Sequence, residues 1–222
     1  MKTLLLAVVT ATLGAFGLFF YDSGSAATDT KFAANDAPAP EVRFRLDPAQ
    51  STFIAHANRA GIAWFKGHSH RLAVKDFDGE ASLSLDAVNP ASLTLTARSA
   101  SIEETDPFFN ADQKKTINKE VNELVLETAK YPEITFHSTA VKGSMRNGAF
   151  DVKITGDLTL HGVTKQITIP ATVTVNGDTL RAKGEFSINR KKWGVNATEA
   201  FHGFVKVRHT IKFEFDIIGR RV

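Results

Sequence analysis

The chain has 222 residues, enough for one domain of moderate size with short accessory segments, since domains commonly run to about 100–200 residues. It contains no cysteine, which excludes disulfides, thiolate catalysis and sulfur-ligated metals. Its formal net charge of +3 is mild, and its basic residues alternate with Phe, Ile and Val near the C-terminus, so a nucleic-acid partner is not expected. Its 17 Phe, against two Trp and two Tyr, supply aromatic bulk with no polar group to satisfy, which suits a dry interior.

Lys2 precedes an apolar run over residues 4–20 and a small-residue stretch, Ser23-Gly24-Ser25-Ala26-Ala27. This pattern predicts a secretory signal peptide over residues 1–27, cleaved after Ala26 or Ala27, and hence a periplasmic or secreted protein. The rival reading is an uncleaved anchor, because a run of about 17 apolar residues sits at the short edge of what spans a bilayer. Residues 28–41, rich in Ala, Asp, Asn and Pro, read as a disordered leader, and residues 42–222 as the folded domain.

Within that domain period-two alternation dominates. Strands are expected over 42–46 and 52–58, with Asp47-Pro48 as the turn between them, and over 70–74, 79–85 and 92–101. Residues 111–129 break the pattern: Ile117, Val121, Leu124 and Val125 fall on one face of an amphipathic helix, which Tyr131-Pro132 stops. Strands resume over 133–141 and through a long hairpin over 150–175 that turns at 161–164. Asn176-Gly177 then supplies a tight turn into a strand over 180–188, and a last strand covers 205–217.

About eight antiparallel strands must remove their edges, and the expected solution is an all-β antiparallel barrel with one amphipathic helix, a two-sheet sandwich being the alternative. The inward parity of the strands assigns Leu83, Leu93, Leu95, Ile134, Phe136, Leu158, Leu160, Ile167, Ile169, Phe186, Ile188, Phe213 and Phe215 to a lumen that holds one elongated apolar ligand. Arg190, Lys191 and Lys192, beside Trp193, are placed at a mouth where an anionic headgroup would sit, a solvated turn being the other reading.

The chain carries no nucleophile elbow, phosphate loop or zinc-protease helix motif, so no enzyme activity and no cofactor are expected. Glu103, Glu104 and Asp106 read as solvated turn carboxylates. His68 and His70 share one strand face and would meet a Zn or Cu ion if a third ligand arrived, which makes a metal-binding or catalytic exported barrel the alternative function. The favoured reading of the pair is a surface or mouth pair without metal, whose removal leaves the fold intact.

Leu46-Asp47, Phe77-x-Gly79, Ser99-x-Ser101-Ile102, the run Tyr131-Pro132-Glu133-Ile134-Thr135-Phe136-His137-Ser138, the run 156–165 (GDLTLHGVTK) and Phe186 to Arg190 with Trp193-Gly194 together resemble the YceI family of exported proteins. The likeness covers residues 42–217. It implies a lipocalin-like barrel, an extracytoplasmic location, and a polyisoprenoid or quinone-like lipid as the partner in the lumen. That lipid would be bound for transport or storage, with contact at a membrane surface, and a homodimer is one arrangement left open. Gly156, Gly162 and Pro132 read as turn and cap residues of that barrel. The chain departs from the family pattern by lacking an Arg-Asp-x-His-Leu stretch before the Tyr131-Pro132 motif, and by Gly67-His68-Ser69-His70.

Overall fold

The computed structural model describes residues 41–61, 67–197 and 206–222. The expected signal peptide and all but the last residue of the expected leader lie outside them. The alternating segments become β1 (Glu41–Ala57), β2 (Arg59–Ala60), β3 (His70–Val74), β4 (Phe77–Ser84), β5 (Ala91–Arg98) and β6 (Ile102–Glu104). After α1 (Ala111–Glu120) come β7 (Glu133–Arg146), β8 (Ala149–Leu160), β9 (Val163–Asn176), β10 (Thr179–Asn189), β11 (Lys206–Val207) and β12 (Thr210–Arg221).

Eight strands form a closed antiparallel circuit, β1-β4-β5-β7-β8-β9-β10-β12, with β12 returning to β1 over Phe44–Arg221 to His56–Lys212. Closure removes the free edges that an open sheet would leave, and the fold is a barrel, not a sandwich. β3 and β6 extend the sheet beside the second half of β1, while β2 and β11 form a small separate ribbon.

The structure corrects the sequence reading of the first strand. No turn separates 42–46 from 52–58; β1 runs through both and carries a bulge. Asp47 folds the bulge locally, its carboxylate accepting from the Ala49 N–H at 3.1 Å and its carbonyl from the Ser51 hydroxyl at 2.6 Å. Residues 48–51 of β1 face Ile217 alone on β12, an excess of three residues. An odd excess flips side-chain parity, so Phe44 and Leu46 point inward before the bulge, and Phe53 and Ala55 after it.

The helix is also shorter than expected. Asn110 caps α1 reciprocally with Gln113, at 3.0 and 2.9 Å. After Glu120 the chain passes into a π turn over Val121–Val125, closed by the Leu126 N–H on the Val121 carbonyl at 2.8 Å. The wider turn shifts the phase of the following side chains by one position. Leu124, expected inside, is therefore 62% exposed, and Leu126 packs inward in its place beside Ile117, Val121 and Val125.

The hairpin turns use left-handed residues: His161 (φ 52°) and Gly162 (φ 72°) join β8 to β9. Gly162 has a second reason to lack a side chain, since a Cβ there would stand 2.7 Å from the Tyr131 ring. The β9–β10 turn falls one residue later than Asn176-Gly177, because Asn176 already pairs with Thr179.

Candidate ligand-binding site

The inward faces of the eight strands do not fill the barrel. Two packed clusters, one around Phe44, Phe136, Phe150 and Leu158 and one around Phe77, Ala97, Ile102 and Val121, are joined by a cavity with about 200 Å³ open to the centres of water-sized spheres. One water needs about 10–15 Å³ by that measure, so the void has room for a far larger molecule. Its wall is apolar except for Ser82, Ser92 and Thr135. Ser82 and Ser92 bond each other at 2.8 Å, which satisfies part of their hydrogen-bonding capacity within the wall.

All thirteen apolar residues assigned to the lumen from parity stand on this wall. Leu83, Phe136, Leu158, Leu160 and Ile188 are buried, whereas Leu93, Leu95, Ile134, Ile167, Ile169, Phe186, Phe213 and Phe215 are half-buried and face the void. Phe186 and Phe213 stack at 4.9 Å between centroids, and Phe53 leans on Phe213 at 6.0 Å and on Phe215 at 6.4 Å. Phe53 was missed because the parity count does not cross the bulge. Val152, Ile154, Ala171 and Val173, visible in the same alternation, belong to the wall as well.

Arg190 and Trp193 are elsewhere. The Arg190 guanidinium is buried and donates to the carbonyls of Val195 (2.7 Å), Arg208 (3.2 Å) and Val207 (3.2 Å). The Trp193 indole N–H donates to the Leu158 carbonyl at 3.2 Å, and the side chain is buried. Both residues fasten the short turn Arg190–Trp193 to the barrel, and neither lines the cavity. Only Lys191 and Lys192 of that trio are exposed.

One end of the cavity lies under the helix, where a polar clamp replaces apolar packing. Glu104, expected as a solvated turn carboxylate, has a fully buried side chain. It accepts from His70 Nδ1 at 2.8 Å, from the Arg71 N–H at 3.1 Å and from the Asp106 N–H at 2.8 Å. Burial pushes its carboxyl up, but the His70 bond, the two backbone N–H groups and attraction to His70 outweigh that and hold it below the ordinary glutamate value. The Glu104 N–H donates to Asn118 Oδ1 at 2.7 Å, tying the helix to β6.

His68 is exposed, as the surface reading expected, whereas His70 is half-buried and engaged with Glu104. His68 stacks on Phe108 at 4.3 Å, and His70 lies parallel to Phe109 at 5.2 Å. Removing His70 would strip Glu104 of a partner, so this residue, unlike His68, is tied into the interior. Among the described residues no group of three His, Asp or Glu side chains is arranged to hold a metal ion.

The Tyr131-Pro132 and 156–165 motifs meet at the same end. Tyr131 packs on His161 at 4.1 Å between ring centroids. His161 Nε2 lies 2.7 Å from Glu127 Oε2, out of line for a hydrogen bond. Gly156 sits where a Cβ would come within 2.4 Å of the His137 carbonyl, so this motif glycine permits close strand approach and is not a turn residue.

Residues 44–218 match the profile of the YceI-like domain family. Protein YceI of Escherichia coli is 33% identical over 149 residues, covering 66% of this chain and 69% of that protein. A UPF0312 protein of Pseudomonas savastanoi is 42% identical over 106 residues, 46% of this chain and 48% of that protein. Among solved structures, BcnA of Burkholderia cenocepacia superposes with a TM-score of 0.62 at 23% identity over 78% of this chain and 98% of that one. A polyisoprenoid binding domain from Saccharophagus degradans, implicated in plant cell wall breakdown, superposes at 0.57 with 15% identity over 81% and 98%.

Proposed function

The chain belongs to the YceI-like family, and from the lining of its lumen we propose that it binds one long apolar lipid, a polyisoprenoid or quinone tail, without chemical conversion. The observation that carries this reading is a sizeable internal void whose wall offers almost nothing but carbon. Burial of each methylene-sized group contributes about 0.8 kcal/mol, so a few five-carbon units suffice to hold such a chain through purification. The polyisoprenoid binding named for the Saccharophagus degradans domain supports the choice of lipid class.

An anionic head, where the lipid carries one, would meet Lys191 and Lys192 on their exposed turn, since Arg190 is engaged with backbone carbonyls. The charged and apolar pattern of residues 1–27 supports export, and with it a role in carrying or storing the lipid outside the cytoplasm. Among the described residues no helix is long and apolar enough to cross a membrane.

The test is mass spectrometry of an organic extract from untagged protein isolated from its own host without detergent. A polyisoprenoid recovered near one per protein supports the reading; an extract empty of any long apolar molecule refutes it.

A further inference from the structure

The barrel is closed in topology but not in its wall. β9 stays paired to β8 from Ala149–Thr174 to Leu160–Val163, and β10 stays paired to β12 along its whole length, to Asn189–Thr210. The ladder between β9 and β10 nevertheless ends at Thr172–Lys183. Just past that pair the backbones still touch, a Cβ on Gly184 standing 2.3 Å from the Pro170 carbonyl; beyond it the segments 163–169 and 185–189 each keep an outer partner, and among the described residues they have no ladder register with each other. This is a break in the ladder inside the wall, not fraying of a terminal strand. Pro170, just past the last pair, has no N–H to give a ladder, and prolines in sheets sit where an edge is open.

The separation is framed and faces the void. Its head is the close approach of Gly184 to the Pro170 carbonyl, and its foot is the turn Arg190–Trp193, pinned to β8 through Trp193 and the Leu158 carbonyl. The inward residues on its two sides, Ile167, Ile169, Phe186 and Ile188, all line the cavity, the first three half-buried and Ile188 buried. Ala87 and Val88 of the β4–β5 loop line one end of the barrel, and Ile102 and Val74, beneath Val121 of the π turn, line the other.

We infer that the window between β9 and β10 is the doorway through which the apolar chain enters and leaves the lumen sideways. The inference rests on the lipid-binding reading above and adds a route to it. Sideways access lets a flexible chain pass from an apolar donor onto Ile167, Ile169 and Phe186 without lifting the helix or breaking the Glu104 clamp.

Extending the register past Thr172–Lys183 would set Thr168 opposite Ser187, both exposed and outward-facing. A disulfide between them draws their Cα atoms to within about 4.4–6.8 Å and shuts the window, and the cysteine-free chain offers no competing thiol. The full-length T168C/S187C variant, oxidised or reduced, is mixed with dansyl-labelled farnesol and uptake is followed by fluorescence. The expected result is at least a tenfold slower uptake in the oxidised form, restored by dithiothreitol to the wild-type rate. Equal rates in the two forms overturn the doorway while leaving lipid binding standing. Absence of uptake by wild type and both forms refutes the lipid reading itself, and the doorway with it. Where thiol titration shows that the disulfide has not formed, T168C carrying a bulky maleimide polymer gives the second reading: slowed uptake supports the window, and an unchanged rate overturns it.

Discussion

The lumen and the clamp under the helix are both interior, yet they are built on opposite principles. The lumen is apolar, incompletely filled and lined by side chains with no directional partners. The clamp is polar, and Glu104 there has three donors on its two oxygens. An apolar wall with slack tolerates a change of occupant, because dispersion and hydrophobic contact are non-directional. A buried carboxylate tolerates almost none, because losing any donor leaves charge without compensation. The molecule thus places the fixed part of its interior where the helix and β6 must keep one arrangement, and the adaptable part where a ligand fits.

The largest effect is expected at the clamp. Glu104→Ala removes the hub that holds His70, Arg71 and Asp106 together and should cost about 3–5 kcal/mol in urea unfolding. If it costs no more than Phe186→Ala in the lumen wall, the contrast between the two regions is broken. The clamp should also show in the pH dependence. Glu104 holds its proton less tightly folded than unfolded, so its stabilisation is fully present above the unfolded carboxylate value and is lost as pH falls through the lower folded one. Glu104→Gln should flatten that acid limb, which unfolding midpoints from neutral pH down to about pH 2 will show.

The π turn predicts the next effect. Val121→Asp buries an unpaired charge and should destabilise by about 2–4 kcal/mol, whereas Leu124→Asp, at an exposed site, should stay within about 0.5 kcal/mol. Comparable losses would restore the regular helical phase. His70→Ala should cost about 1–3 kcal/mol by orphaning one Glu104 oxygen, with His68→Ala well below that, since its ring has only stacking to lose. A small stability effect is also expected in the lumen itself: Leu160→Trp should change unfolding free energy by less than the about 1–3 kcal/mol typical of overpacking, because the added atoms meet void.

The barrel and its wall were legible because alternation over long strands fixes parity, and parity alone names Leu158, Leu160, Ile167 and Ile169 as wall residues. Three features were not. The bulge after Asp47 hides behind a turn-forming Asp-Pro pair, and only its odd residue excess brings Phe53 to the void. The π turn keeps helical composition while shifting phase, so Leu124 and Leu126 exchange roles. Glu104 and Arg190 look like solvated charges in sequence because their partners, His70 34 residues away and the Val207 and Arg208 carbonyls, are supplied only by the fold.

Native mass spectrometry of protein released gently from its host, wild type beside Leu160→Trp, tests the lipid-bearing lumen most directly. The account predicts a wild-type mass exceeding that of the polypeptide by one polyisoprenoid, shed on collisional activation, and a Leu160→Trp protein that folds at the bare polypeptide mass. A wild type that flies at the bare polypeptide mass, with no lipid taken up from added polyprenol, would contradict it.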